Sequence, residues 1–255
     1  MKKNNLLQFV VLLCVFQITT ISSSLSQGVD KPLSFGVRAG LSNSLFTNYQ
    51  QRAGYNKWGF AGGAFAEYKL MDLVGVEINL NYVQEGADKA TPNLIYTREF
   101  LNSYSETSYG GMVAYIQSSD ITLHTLQVPI LFNIRPPVKG DVTPRLILGY
   151  SFDFILNATT KDEIMFYSTD NPYSGYTYYP ITKRNKANVT SSFKTLNMGP
   201  VVGLGLDFKS DKFTYLIDAR YKIGVNNINN LGELKINGNR SFSANTFTVT
   251  LGIAF

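Results

Sequence analysis

The chain has 255 residues and a formal charge of +5, with 44% hydrophobic, 13% aromatic and only 16% charged residues. Ordinary soluble domains carry about 25% charged residues and a nucleic-acid partner asks for a stronger basic balance, so both classes are disfavoured. A single cysteine and a single histidine exclude a disulfide scaffold and a zinc centre, and no metal or other cofactor is expected.

Met1 opens a segment with Lys2 and Lys3, the apolar run LLQFVVLLCVFQI and then TTISSSLSQG, where Ser24 and Ser26 are the small residues favoured before a signal-peptidase cut. The run is shorter than the roughly 20 apolar residues of a spanning helix, so residues 1–26 are predicted to be a secretory signal peptide. Its removal takes the only cysteine, Cys14, and leaves 21 of the 23 basic residues against 18 acidic ones. The remaining domain is 27–255.

Eight segments then alternate apolar and polar residues with the period of a strand. The first, about 33–44, sets Phe35, Val37, Ala39 and Leu41 against Ser34, Gly36, Arg38, Gly40 and Ser42. The second, about 58–69, has Trp58, Phe60, Gly62, Ala64, Ala66 and Tyr68 on one face and Glu67 and Lys69 on the other. The third, about 73–84, opposes Val74, Val76, Ile78, Leu80 and Tyr82 to Glu77, Asn79 and Asn81; the fourth, about 122–134, opposes Leu126, Val128, Ile130, Phe132 and Ile134 to Thr125, Gln127 and Asn133. In the fifth, about 144–156, Leu146, Leu148, Tyr150, Phe152 and Phe154 face away from Arg145, Ser151 and Asp153. The sixth, about 195–208, alternates Leu196, Met198, Val202, Leu204, Leu206 and Phe208 with Asn197, Gly199, Gly203, Gly205 and Asp207. The seventh, about 212–225, alternates Phe213, Tyr215, Ile217, Ala219, Tyr221, Ile223 and Val225 with Thr214, Asp218, Arg220, Lys222 and Gly224. The eighth, NTFTVTLGIAF, carries Phe247, Val249, Leu251, Ile253 and Phe255 on its apolar face.

The connections alternate in length. Short ones fall at 70–72, 135–143 and 209–211, and long ones at about 45–57, 85–121, 157–194 and 226–245. Short turns at one end, long loops at the other, an even strand count and strands apolar outward and polar inward describe a transmembrane barrel of a bacterial outer membrane. The expected fold is therefore all-β, an eight-stranded antiparallel transmembrane up-and-down β-barrel in the cell outer membrane. A soluble barrel or sandwich is the competing fold. Because lipid offers the backbone no hydrogen-bond partner, the last strand must pair with the first. Pro129 and Pro200 each remove a ladder donor from inside a strand, and a bulge or a strand end is expected at both.

The segments SFGVRAGLSNS, LQVPILFNI, VVGLGLDF, ARYKIGVNNI and LGIAF, in this order and spacing, resemble the outer-membrane β-barrel domain of the PorT-like family over nearly all of the mature chain. The resemblance implies an eight-stranded barrel and, through the member that gives the family its name, an association with type IX secretion and surface export of proteins.

Three functional readings stay open. Eight strands enclose only enough space for side chains to fill, and the inward faces carry Arg38, Glu67, Glu77, Arg145, Asp153, Asp207, Asp218, Arg220 and Lys222. A packed ionic plug is one outcome for these groups, and a narrow ion or solute path is the other. A lipid-modifying enzyme would need a nucleophile, a base and an orienting group together. The one histidine, His124, has Ser118, Ser119 and Asp120 nearby in sequence, but lies on the lipid-facing side of its strand, and no catalytic residue is assigned. Binding by the outer loops is the third reading, with Tyr104, Tyr109, Tyr173, Tyr176, Tyr178 and Tyr179 as contact candidates, since tyrosine offers a large amphipathic surface at low entropic cost. The expected partners are outer-membrane lipid, the barrel-assembly machinery, for which Phe255 is the expected assembly signal, and a protein of a secretion or envelope complex.

Overall fold

A strand with one apolar and one polar face satisfies lipid on one side and a hydrated or ion-paired interior on the other, and in the computed structural model such strands bond edge to edge into a closed ring. The structure describes residues 32–47, 54–90, 92, 96, 108–109, 112–138, 140–168, 177–231 and 241–255. The expected signal peptide at 1–26 lies outside them. The strands are β1 (Leu33–Thr47), β2 (Tyr55–Met71), β3 (Val74–Ala90), β4 (Ser108–Tyr109), β5 (Met112–Ile134), β6 (Val142–Ser168), β7 (Thr177–Asn188), β8 (Leu196–Lys209), β9 (Thr214–Lys222) and β10 (Ser243–Ala254).

The ring runs β1, β2, β3, β5, β6, β8, β9, β10, with every neighbouring pair antiparallel. It closes through β1 and β10, in register from Gly36↔Ala254 to Thr47↔Ser243, and the Phe255 N–H extends the seam by donating to the Phe35 carbonyl at 2.8 Å. Outward side chains form an apolar belt in which Val37, Leu41, Phe60, Ile78, Leu80, Phe132, Phe154, Leu204, Ile217 and Leu251 are all exposed. In water that surface would be costly; in a bilayer it is the surface that stabilises.

β4 and β7 stand outside the ring. β7 pairs only with β6, from Thr159↔Asn188 to Ser168↔Thr177, and β5 and β6 stay paired as far as Met112↔Ser168. This corrects the loop boundaries: much of 85–121 and 157–194 is strand, forming an outer sheet β4-β5-β6-β7 that continues the barrel wall.

The polarity of the wall inverts where it leaves the membrane. Within the belt, β6 turns Phe152, Phe154 and Leu156 outward and Asp153 inward. Beyond the register shift at His124/Thr125, it turns Ala158 and Ile164 inward and exposes Lys161. Once water replaces lipid outside, the apolar side of a sheet has to face in. Gly86 sits at the same level with φ +149, a conformation that favours glycine. A Cβ there would come within 2.0 Å of the Ile121 carbonyl oxygen.

The two prolines are accommodated differently. Opposite Pro200, β9 ends at Lys222, while β8 runs through and the Pro200 carbonyl still accepts the Ile223 N–H at 3.0 Å. Pro129 lies in unshifted register with Ser151 of β6. On its β3 side the ladder skips from Ile78↔Ile130 to Asn81↔Gln127 without changing register, so neither the bulge nor the strand end expected there occurs and the missing donor is absorbed as a local gap.

Candidate functional site

All of the charges predicted to face inward are buried: Arg38, Glu67, Glu77, Arg145, Asp153, Asp207, Asp218, Arg220 and Lys222. They sort into three tiers along the barrel. Nearest the short turns, Arg135 holds Glu67 through both terminal guanidinium nitrogens and donates from Nε to Asp207 at 2.9 Å. Burial alone would lower the pKa of Arg135, but the hydrogen bond and charge of Glu67, then those of Asp207, more than offset it and hold the pKa above the ordinary arginine value.

The middle tier is built on two carboxylates. Arg38, Arg145 and Arg220 lie 3.0, 3.3 and 3.0 Å from Glu77, and 2.8, 2.6 and 3.0 Å from Asp218. Asn79 and Asn133 also donate to Glu77, at 2.8 and 3.0 Å. The Arg38 guanidinium stacks 4.0 Å from the centre of the Phe65 ring. In the third tier Lys222 pairs with Glu85 at 2.7 Å and with Asp153, Gln127 donates to both carboxylates, and Thr246 donates to Glu85 at 2.5 Å. Between the middle and third tiers lies a cavity of about 40 Å³ bordered by Arg38, Asn81, Gln127, Ser151, Arg220 and Lys222. That is room for only a few waters, at roughly 10–15 Å³ for the space one water needs.

Above the tiers the interior is sealed by apolar residues. Phe46, Phe193 and Phe242 form a triangle of rings with centroids 5.0 to 6.1 Å apart. Ile121, Leu123, Ile155, Val189 and Ile228 pack around them, all buried. Phe193, Ile228 and Phe242 come from the segments flanking β8, β9 and β10, so the outer connections fold back over the mouth.

Several of these residues escaped the sequence reading. Glu85 falls at the start of a predicted loop and Arg135 in a predicted turn, yet both complete the ionic network. A cue for Arg135 lies in its position, since it directly follows the outward-facing Ile134 at the end of β5 and the alternation carried one residue past the strand turns it inward. The aromatic seal had no such cue, because its rings come from positions distant in sequence.

The other expected positions are dispersed. Tyr104, Tyr173 and Tyr176 lie outside the described residues, while Tyr109 lies in β4 and Tyr178 and Tyr179 in β7, on strands rather than on loops. His124 faces outward, its Nδ1 2.5 Å from the Tyr82 hydroxyl. The groups that could have made it catalytic are engaged elsewhere: Ser118 donates to Glu163, Ser119 to Asp162, and Asp120 accepts the Lys89 N–H. Among the described residues no group of three or more His, Cys, Asp or Glu side chains could hold a metal ion, and no helix is long and apolar enough to cross a membrane.

The family model for the outer membrane protein β-barrel domain matches residues 22–230. The chain belongs to this family. It is an outer-membrane protein, and the ring of eight strands is its membrane-spanning body. Solved structures similar to it include Neisserial surface protein A, at 12% identity and a TM-score of 0.41 over 86% of this chain and 95% of that one. Another is the outer membrane protein OprG from Pseudomonas aeruginosa, at 13% identity and a TM-score of 0.41 over 88% and 97%. A third is Ail, the attachment invasion locus protein of Yersinia pestis, at 12% and 0.37 over 88% and 100%. Among curated proteins none matches this chain.

Proposed function

We propose that this barrel is a non-conducting, non-enzymatic scaffold that presents its outer sheet to a partner protein, as an accessory component of a secretion or envelope complex of the PorT-like, type IX kind. The observation that carries this reading is the closed interior. Paired charges fill the lower barrel and the Phe46, Phe193 and Phe242 rings cover the top, so the surface left for function is the wall and the sheet above it. The commitment of Ser118, Ser119 and Asp120 to other partners supports the non-enzymatic part. We further infer that Phe255, directly after β10, belongs to what the barrel-assembly machinery reads.

The test is purification in mild detergent from native expression, followed by identification of bound proteins. A stoichiometric envelope or secretion protein, lost when Thr177–Asn188 is replaced by a short polar linker, is the expected result. Recovery of the barrel alone in both cases would overturn the scaffold reading.

A further inference from the structure

Two like-charged pairs face each other across neighbouring strands, and their surroundings differ. Like charges directly opposite in a sheet destabilise it. Inside the barrel, Glu67 and Glu77 are partners in the β2–β3 ladder, and that repulsion is answered by Arg135 on Glu67 and by Arg38, Arg145 and Arg220 on Glu77. In the outer sheet, Lys161 of β6 stands opposite Lys186 of β7, with Arg184 two residues along opposite Glu163. All three basic side chains are exposed, and none is in an ion pair among the described residues. The neighbouring acids are turned to other donors: Asp120, across from Lys161 on β5, accepts the Lys89 N–H at 2.8 Å, and Glu163 accepts the Ser118 hydroxyl at 3.2 Å. Among the described residues the face therefore sets three basic groups, Lys161, Lys186 and Arg184, against two carboxylates, Asp120 and Glu163, with no ion pair formed, and one positive charge stays in excess for an anion to meet.

Its position indicates where the anion comes from. Ala158, Asp162 and Ile164 of β6 are buried toward the inside, so Lys161 points outward, on the same side of the wall as the lipid-facing Phe152, Phe154 and Leu156. Cross-strand partners share a face, which puts Lys186 and Arg184 there too. Lys161 lies five residues beyond Leu156. At about 3.3 Å per residue and a tilt near 40°, it stands about 12 Å above the end of the apolar belt. A lysine stem that lies back along the wall brings the ammonium to the level of lipid headgroups, which occupy roughly 5–7 Å outside the hydrocarbon. We propose that this face of β6 and β7 seats the phosphate of an anionic outer-leaflet lipid between Lys161 and Lys186, with Arg184 beside it.

The experiment reconstitutes the full chain in phosphatidylcholine nanodiscs doped with lipid A and counts the lipid A retained, by native mass spectrometry. Wild type should retain it. Lys161→Gln/Lys186→Gln should retain it about 30-fold less well, from the roughly fivefold contribution of each of two basic residues beside an anionic surface. Lys183→Gln, whose side chain lies over the Phe166 ring, 5.7 Å from its centre, should behave as wild type. Lys186→Glu separates binding from folding: β7 is an edge strand paired only with β6, so the new carboxylate meets Lys161 and no acid across the ladder, and the variant should gain stability in lipid-free detergent while losing retention. Equal retention by wild type and the double variant would overturn the proposal. So would displacement of lipid A by inorganic phosphate at equal concentration, which would make the site one for free phosphate. Capture of an acidic protein in place of lipid A would overturn it as well.

Discussion

At the scale of single residues, the interior is decided by Glu77. This carboxylate on β3 is fully buried, and it is approached by three arginines and two asparagine side chains. A buried ion pair is weak evidence of net stabilisation over an apolar filling, but removing one partner strands the other charges at a cost of about 3–5 kcal/mol. Glu77→Gln keeps the shape and removes the charge. It should lower unfolding stability in detergent by about that amount, whereas Glu163→Gln on the outer surface should stay within about 0.5 kcal/mol. Equal effects in urea titrations of the two variants would show that the network is not what holds the interior. Phe255 poses a different question. Its ring is exposed and meets Phe213 edge-on at 5.9 Å, so packing alone assigns it no more than about 1.5–3 kcal/mol. If the assembly machinery reads it, Phe255→Asp should sharply reduce membrane-inserted protein in cells while the purified variant still refolds in detergent. Normal insertion in cells would limit Phe255 to packing.

At the scale of elements, the membrane-spanning strands were legible from sequence and their extensions were not. In the bilayer, alternation has one phase, apolar outward, and that phase marks Phe35–Leu41 or Leu146–Phe154 at sight. Above the bilayer the phase reverses, so Ile121, Leu123, Ala158 and Ile164 point inward while Lys161 is exposed. A search for one continuous apolar face therefore stops at the register shift between His124 and Thr125 and assigns the rest to loops. The interior charges could be read because each falls in the polar phase of a spanning strand, whereas their grouping into tiers depends on registers that the pattern does not determine. Protease added to intact cells should cut between β6 and β7 or between β3 and β5, leaving the paired stretches Thr159–Ser168 and Thr177–Asn188 as protected edges of the fragments. The Lys209–Asp211 turn, closed by the Ser210 N–H to the Phe213 carbonyl at 2.9 Å, should remain intact on the inner side. Cutting at that turn would place the outer sheet in the periplasm.

At the scale of the whole molecule, closure and filling are separate properties with separate signatures. Closure is the β1–β10 ladder, which leaves the spanning sheet without an edge and makes unfolding cooperative around the ring. The protein should therefore migrate differently on a detergent gel before and after boiling; identical migration would point to a soluble fold. Filling is the series of ionic tiers below an aromatic seal, and an ion crossing the barrel would have to displace both. Moving an arginine away from Glu77 and Asp218 exposes unpaired charge in a confined space, which is costly, and parting Phe46, Phe193 and Phe242 opens apolar surface to water. Neither barrier depends on the other. Phe242→Ala should lower stability by about 3–5 kcal/mol and still leave the ionic tiers in place. Wild type and Phe242→Ala alike should therefore show no steady openings in planar bilayers, and only a variant that also loses Glu77 should leak. Large, steady openings by the wild-type protein would make the interior a conduction path and remove the basis for a scaffold role.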